Sequence, residues 1–454
     1  MSRRRLLVAG FVVVLAAGAL TGLAIVDDGN PPSIDGTDDY PSRYTLVTSQ
    51  SYQGFGFGTG EAMIVAPDGE RAWTYDPPNT RVFDAEVTDA GTILVSTGTE
   101  PPLEQCPDRY QDGGSCVHNR ILELAPGDNT VVWKYTWYDQ YSSHHIPHDA
   151  DRLENGGTAI VDMGNQRAFV VNQSGTVTWQ WNANESLDAG SAFQREFGGP
   201  DQQGPESDWT HVNDIDRLEN GNFQLSIRNF DAIVEVAPET NEVVDVIGEP
   251  GNHSVLYRQH NPHRIEHAGT ALVADSTNNR VAELDVETGD VLWSYYGGEN
   301  GTEHLAWPRD ADRLPNGNTL ITDSRNFRVL EVSPSGEVVW EFSQKNRRGI
   351  LYEADRLNVS ATTDPDRLRA AFEDRPEEPD DVPSARSFPD HTPEEGWFTW
   401  VLYEGSSWVG YAFPWMGLAE SVVLVVGILA GLCFVADYGL RRLRDAKRFP
   451  WGNG

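Results

Sequence analysis

The chain has 454 residues, with 34 Lys or Arg against 69 Asp or Glu, a formal net charge of −35. That balance excludes nucleic acid as a partner, because duplex binding needs basic groups to neutralise phosphates. A hydrophobic share of 39%, with 14 Trp, 43 Gly and 27 Pro, excludes wholesale disorder and supplies abundant turn material. Lys stands only at 134, 345 and 447, so 31 of the 34 cationic positions are Arg. An acid-rich, Lys-poor composition is that of a halophilic surface: near 1 M salt the Debye length falls to about 3 Å, self-repulsion is screened and carboxylates keep the protein hydrated.

In chain order, the first predicted element is the apolar run Leu6 to Val26, preceded by Arg3, Arg4 and Arg5. At about 1.5 Å per residue it is long enough for a hydrocarbon core of about 30 Å. Ser2-Arg3-Arg4-Arg5-Leu6-Leu7 is similar to a twin-arginine export signal, whereas the length of the run favours an uncleaved anchor. Residues 1–26 are therefore expected to be an N-terminal membrane anchor or signal.

Residues 44–358 repeat one supersecondary unit. In its clearest copy, Asp310-Ala311-Asp312-Arg313-Leu314 opens a strand, Pro315-Asn316-Gly317-Asn318 makes a hairpin turn, Thr319 to Asp323 is a second strand, Arg328 to Val332 a third, and Ser335-Gly336 turns into a fourth containing Trp340. Copies open at Asp84, Asp149, Asp214 and Asn261, three of them reaching Trp133, Trp179 and Trp293 and the one from Asp214 ending near Asp245. The sixth is split: residues 45–49 and Ala62 to Trp73 supply three strands, and Tyr352 to Leu357 supplies the missing first one. A split repeat closes a ring by pairing the chain ends in one sheet, which removes free edges. The expected fold is an all-β six-bladed β-propeller with a split closing blade, at roughly 53 residues per blade, flanked by an N-terminal and a C-terminal transmembrane helix.

Cys106 and Cys116 flank a Gly113-Gly114 turn and are expected to form a disulfide closing a local loop. A zinc site there would have only His118 as a nearby further ligand, short of the usual four. Sequons begin at Asn172, Asn184, Asn252, Asn300 and Asn358.

Beyond the ring, residues 359–396 read as an acidic, Pro-rich linker and 397–414 as an aromatic interfacial segment. Residues 415–438 read as a transmembrane helix with its apolar heart at Val422 to Val435, and 439–454 as a basic cytoplasmic tail. Basic residues flank both apolar runs on their outer-chain sides, so both termini are expected in the cytoplasm and the ring outside it, at the cell membrane.

In a propeller the first strand of each blade lines the central channel. Aligning the copies puts Phe83, His148, His211, His260, Arg309 and Tyr352 at one position before that strand. Three His and an Arg converging on one funnel suit a tetrahedral oxyanion, and a neutral His can serve as nucleophile or general base. The same histidines could instead cap their strands, or hold a metal, although Arg309 would repel a cation. No metal and no cofactor are expected. Asp151, Asp216, Asp312 and Asp355 recur in nearly every copy, which favours blade-to-blade pairing over Ca²⁺ binding. The repeated Trp residues, with Glu287-Thr288-Gly289 before Trp293, are similar to docking motifs of quinoprotein propellers but serve equally as packing.

The repeat Asp310 to Arg328, the segment Trp209-Thr210-His211-Val212-Asn213, and Gln259-His260-Asn261 with Asn278-Asn279-Arg280 resemble the arylsulfotransferases, which move sulfate between phenols without a nucleotide donor. The resemblance implies a sulfuryl group passed to a histidine and then to an acceptor phenol. It implies His211 and His260 as catalytic groups that orient the sulfuryl group, and Arg280 as a clamp on its oxygens. His148 joins them as a third catalytic candidate, and Arg309, Asn213 and Tyr352 as substrate-binding candidates. The family's third functional histidine is not matched: Arg309 stands at the aligned position in the last blade, with His304 five positions earlier, so the nucleophile is unassigned. Expected partners are a phenolic sulfate donor, a phenol acceptor and the membrane. The alternative is a non-catalytic propeller that binds an envelope component, a glycan or a membrane protein.

Overall fold

The structure is a computed structural model that describes residues 44–50, 59–141, 144–202, 204, 207–298, 303–344 and 349–357. The segments expected at 1–26, 359–396, 397–414, 415–438 and 439–454 lie outside the described residues. Among the described residues no helix is long and apolar enough to cross a membrane.

Six four-stranded antiparallel sheets follow one another along the chain. The first three strands are β1 (Tyr44–Ser49), β2 (Glu61–Val65) and β3 (Arg71–Tyr75). Blade 2 comprises β4 (Thr80–Val87), β5 (Ile93–Thr99), β6 (Val117–Ala125) and β7 (Thr130–Asp139). Blade 3 comprises β8 (Ala150–Arg152), β9 (Thr158–Asp162), β10 (Arg167–Val171) and β11 (Val177–Asn182). Blade 4 comprises β12 (Val212–Arg217), β13 (Phe223–Ile227), β14 (Ala232–Ala237) and β15 (Glu242–Gly248). Blade 5 comprises β16 (His260–Ile265), β17 (Thr270–Asp275), β18 (Arg280–Asp285) and β19 (Val291–Tyr295). Blade 6 comprises β20 (Pro308–Arg313), β21 (Thr319–Asp323), β22 (Arg328–Val332) and β23 (Val338–Ser343). The last strand, β24 (Leu351–Leu357), returns to pair with β1, so blade 1 has the order β24-β1-β2-β3. The ring closes through a split blade, as the sequence halves require. The outer strands run past the tryptophans that the repeat places at their ends, reaching Asp139, Asn182, Tyr295 and Ser343.

Apolar side chains fill the spaces between neighbouring sheets. Leu46, Ile64 and Trp73 of blade 1 pack with Ala85, Val95 and Leu122 of blade 2, and Val161, Ala168 and Trp181 of blade 3 pack with Ile215, Leu225 and Val234 of blade 4. Because both faces of a blade are covered, middle strands such as β2, β9, β13 and β21 are buried along their whole length.

Polar contacts join the blades in a repeated pattern. The Asp that opens an inner strand accepts a backbone N–H from the next blade: Ala150 donates to Asp84 at 3.0 Å, Ile215 to Asp149 at 2.6 Å and Ala354 to Asp310 at 2.9 Å. The Arg two or three residues on pairs with a Glu on the third strand of the preceding blade. These pairs are Arg152–Glu123 (2.6 Å), Arg264–Glu235 (3.1 Å), Arg313–Glu283 (2.6 Å) and Arg356–Glu331 (2.8 Å). The Arg partners are thus Glu rather than the aspartates expected from the repeat: of those, Asp312 lies 3.1 Å from His263 Nδ1 of the preceding blade and Asp216 accepts from Gln224 of its own blade. Tryptophan indoles add a third link, donating to the next blade: Trp73 to Asn129, Trp133 to the Gln173 carbonyl, Trp179 to Asn241 and Trp340 to the Pro67 carbonyl. Trp293 differs: its Nε1 has no hydrogen-bond partner among the described residues, and its ring packs in the core under the Arg313 guanidinium of the next blade.

Cys106 and Cys116 are joined, with Cα atoms 5.9 Å apart. The bond closes the insertion between β5 and β6, which carries a 3-10 turn at Leu103–Gln105 and a single helical turn at Asp108–Gln111.

Arg356 and Glu331 meet at the ring closure with side chains only 1% and 0% exposed. Removing one partner strands the other charge without water, a loss of about 3 kcal/mol or more. Arg356→Met should lower the melting temperature followed by circular dichroism, and salt should restore little of it; an unchanged transition would contradict the pair's role in closure.

Candidate active site

Bulges in the inner strands set what faces the funnel. Pairing slips between Val82 and Asp84 in β4, between Val212 and Asp214 in β12, and between Pro308 and Asp310 in β20. The residue left over is Phe83, Asn213 or Arg309, and a bulged residue is re-aimed out of the ladder. By this register the equivalent position reads Phe83, His148, Asn213, His260, Arg309 and Tyr352. His211 is out of phase with that set, contrary to the sequence alignment. It enters two residues earlier, from the loop before β12, with left-handed backbone (φ 48°) like Arg258 (φ 55°) and Trp307 (φ 54°). Such conformations cost energy for non-Gly residues and persist where the surroundings over-determine them.

Despite the phase difference, the three imidazoles come together. His148 and His211 have ring centroids 5.1 Å apart, and His211 and His260 6.4 Å apart. Tyr352 stands 5.7 Å from His148 and 5.9 Å from His260, and Phe83 packs 4.1 Å from His148. The Arg309 guanidinium lies 5.0 Å over the Tyr352 ring and donates to Gln50 at 2.5 Å. Five of the predicted residues therefore form one cluster: His148, His211, His260, Arg309 and Tyr352.

The other two predicted binding residues have structural partners. Asn213 donates to the Gln259 carbonyl at 3.0 Å, tying blade 4 to blade 5. Arg280 donates to Asp275 at 2.7 Å and to the Ser254 and Val255 carbonyls. Arg328–Asp323 and Arg167–Asp162 repeat that pair in blades 6 and 3, so Arg280 is a blade element rather than a clamp. His304 is exposed, in an isolated bridge to Gly297.

Two residues not singled out by the sequence join the cluster. Asp208 accepts from His211 Nδ1 at 2.7 and 2.8 Å through its two oxygens, and Arg228 Nη1 lies 3.6 Å from the same carboxylate. Arg228 occupies the turn position held by Ser276 and Ser324 in other blades, and blade 4 has Ile227 and Ala232 where those blades carry the Asp–Arg pair. That break in the repeat was the signal that could have found it. For Asp208 the signal was its place three residues before His211.

All three imidazoles have Nδ1 engaged by the protein. His148 Nδ1 is 3.0 Å from the Ile146 carbonyl, which requires it to donate. His260 Nδ1 is 2.7 Å from the Ser276 hydroxyl, which itself donates to the Pro308 carbonyl and so accepts from the ring. With the Nδ1 proton thus assigned by partners, Nε2 carries the lone pair in each ring. Burial holds all three neutral. It pushes His148 and His260 well below the usual value, helped by His211 and Arg309 respectively, and takes His211 to about 4, with Arg228 adding to the effect. Burial alone would raise Asp208, but His211, Arg228 and His144 outweigh it and hold the carboxyl below its usual range. Burial lowers Arg228 to about 10, which leaves it cationic at neutral pH.

Directly below this cluster the inner strands bring together Asp84, Asp149, Asp214, Asp310 and Glu353. Desolvation raises all five, Asp84 to about 6, and mutual repulsion among the carboxyls adds to it. The funnel is thus a neutral and cationic mouth over an acidic throat. Among the described residues one group has metal-ligand spacing, His144, Asp208 and His211, with ligand atoms within 4.8 Å of one another.

Comparison with known proteins places this geometry in context. Residues 134–261 match the arylsulfotransferase family. That stretch is similar to the arylsulfotransferases. The matched stretch contains His148, His211 and His260. Residues 235–363 match a second family, described as outer membrane protein assembly factor BamB. No curated protein matches the sequence. Among solved structures, a protein of unknown function from Bacteroides caccae is 16% identical, with a TM-score of 0.48 over 69% of this chain and 98% of that one. A catalytically inactive virginiamycin B lyase from Staphylococcus aureus with quinupristin is 10% identical, with a TM-score of 0.39 over 66% and 85%. Neither likeness is close enough to bear on function.

The neutral state of His211 has a measurable consequence. The folded residue resists protonation down to about pH 4, while the unfolded chain takes up the proton near about 6.5. Between these values the unfolded state binds more protons, so this contribution to stability is complete above about pH 6.5 and is lost as pH falls toward 4. His211→Gln should flatten the decline of melting temperature over that window relative to wild type; parallel curves would show that His211 is not buried in its neutral form.

Proposed function

We propose that this protein is a membrane-anchored, extracytoplasmic aryl sulfotransferase that moves a sulfuryl group from a phenolic sulfate to a phenol through a histidine intermediate. The observation that carries the reading is the set of three buried, neutral imidazoles beside Arg228 and Arg309. An Nε2 lone pair can attack sulfur, a second imidazole can take the proton of the acceptor phenol, and the guanidinium groups can neutralise the sulfate oxygens as charge builds on them. A propeller that only bound a ligand would have no need of several imidazoles kept neutral with the same nitrogen protonated. The disulfide between Cys106 and Cys116 favours an oxidising, extracytoplasmic compartment, and the apolar runs at 6–26 and 415–438 favour anchorage. Donor and acceptor would both reach the site past His211, whose side chain keeps 12% of its surface exposed.

The test is full-length protein in detergent at high salt, given 4-nitrophenyl sulfate and phenol between about pH 6 and 9. Phenol-dependent release of nitrophenol is expected, and His260→Ala or Arg309→Ala should reduce kcat by about 10²- to 10³-fold. No release at any pH in that range would remove the proposal.

A further inference from the structure

The three imidazoles differ in what holds Nδ1. For His148 it is a backbone carbonyl and for His260 a serine hydroxyl, both neutral dipoles. His211 alone faces a carboxylate, with both Asp208 oxygens within 2.8 Å. Its side chain also keeps 12% of its surface exposed, against 4% for His148 and 2% for His260 as residues, so it is the ring an entering donor meets. Arg228 lies beside the same carboxylate, its Nη1 3.6 Å from Asp208 Oδ2, and its Nε has no hydrogen-bond partner among the described residues.

We infer that His211, oriented by Asp208, is the nucleophile that carries the sulfuryl group, and that Arg228 holds the sulfate oxygens. The inference rests on the sulfuryl-transfer reading. In the first half-reaction His211 Nε2 forms an N–S bond while the bond from sulfur to the aryl oxygen breaks, and the phenolate leaves with that electron pair and takes a proton from solvent. The sulfated ring is cationic, with Nδ1–H still donating to Asp208. A full negative charge 2.7 Å away stabilises that cation where a carbonyl or hydroxyl offers only a dipole. In the second half-reaction the acceptor phenol gives its proton to His148 or His260, its oxygen forms the new bond to sulfur, and the N–S electron pair returns to Nε2. This places the nucleophile in blade 4, and Arg309 in the last blade becomes an oxyanion contact rather than a missing histidine.

The experiment gives full-length protein 4-nitrophenyl sulfate without acceptor, quenches it, and maps by peptide mass spectrometry which residue has gained one SO₃. The adduct is expected on His211, lost in His211→Ala, and formed about 10²- to 10⁴-fold more slowly in Asp208→Asn with KM changed far less. Melting curves show whether each variant is folded, and Asp208→Glu should recover part of the rate. His144→Gln should stay within about tenfold of wild type. An adduct on His148, His260 or His304, or an unaffected Asp208→Asn, overturns the assignment. So does stoichiometric zinc that His144→Gln abolishes, because Asp208 would then be a metal ligand. Turnover with the adduct elsewhere defeats this inference alone, whereas no turnover in wild type defeats the transferase reading with it.

Discussion

The contact on which the rest of the ring depends is a carboxylate at the start of an inner strand that accepts a backbone N–H from the next blade, seen at three seams through Asp84, Asp149 and Asp310. It fixes the rise of one inner strand against its neighbour, and with it the level at which the preceding residue faces the funnel. A one-residue slip would exchange that residue for the carboxylate. One seam without it follows from the same chemistry. Where blade 4 would clasp blade 5, the donor position is Pro262, which has no N–H, and Asp214 Oδ2 is left without a hydrogen-bond partner among the described residues.

Around that clasp lie the buried Arg–Glu pairs and the indole donors, each between consecutive blades. Repetition gives several seams the same contacts. Blade 4 is one that departs from them. It lacks the Asp–Arg pair of blades 3, 5 and 6, carries Arg228 at the turn, and brings Asp208 and His211 in from its leading loop.

The electrostatics divide in the same way. The net charge of −35 belongs to the chain as a whole, while the mouth is neutral and cationic because burial strips protons from its histidines and two guanidinium groups stand among them. Beneath it burial raises the carboxyls, and their mutual repulsion adds to the shift. The cationic groups that could attract an anion are therefore those beside the histidines.

The sequence by itself determined the six-fold repeat, the split closing blade, the disulfide and the convergence of His148, His260, Arg309 and Tyr352, since each follows from periodicity or from one residue's place in a repeat. Only the tertiary structure decided what His211, Asp208, Arg228 and Arg280 do. His211 shares no repeat phase with the others and reaches them through a left-handed loop. Asp208 and Arg228 come from different loops of one blade and meet through folding. Arg280 looks like a clamp until its donors are seen to be taken by Asp275 and backbone carbonyls. Repeat position is written in spacing, but a side chain's partner depends on loop geometry and on which donors burial has already satisfied.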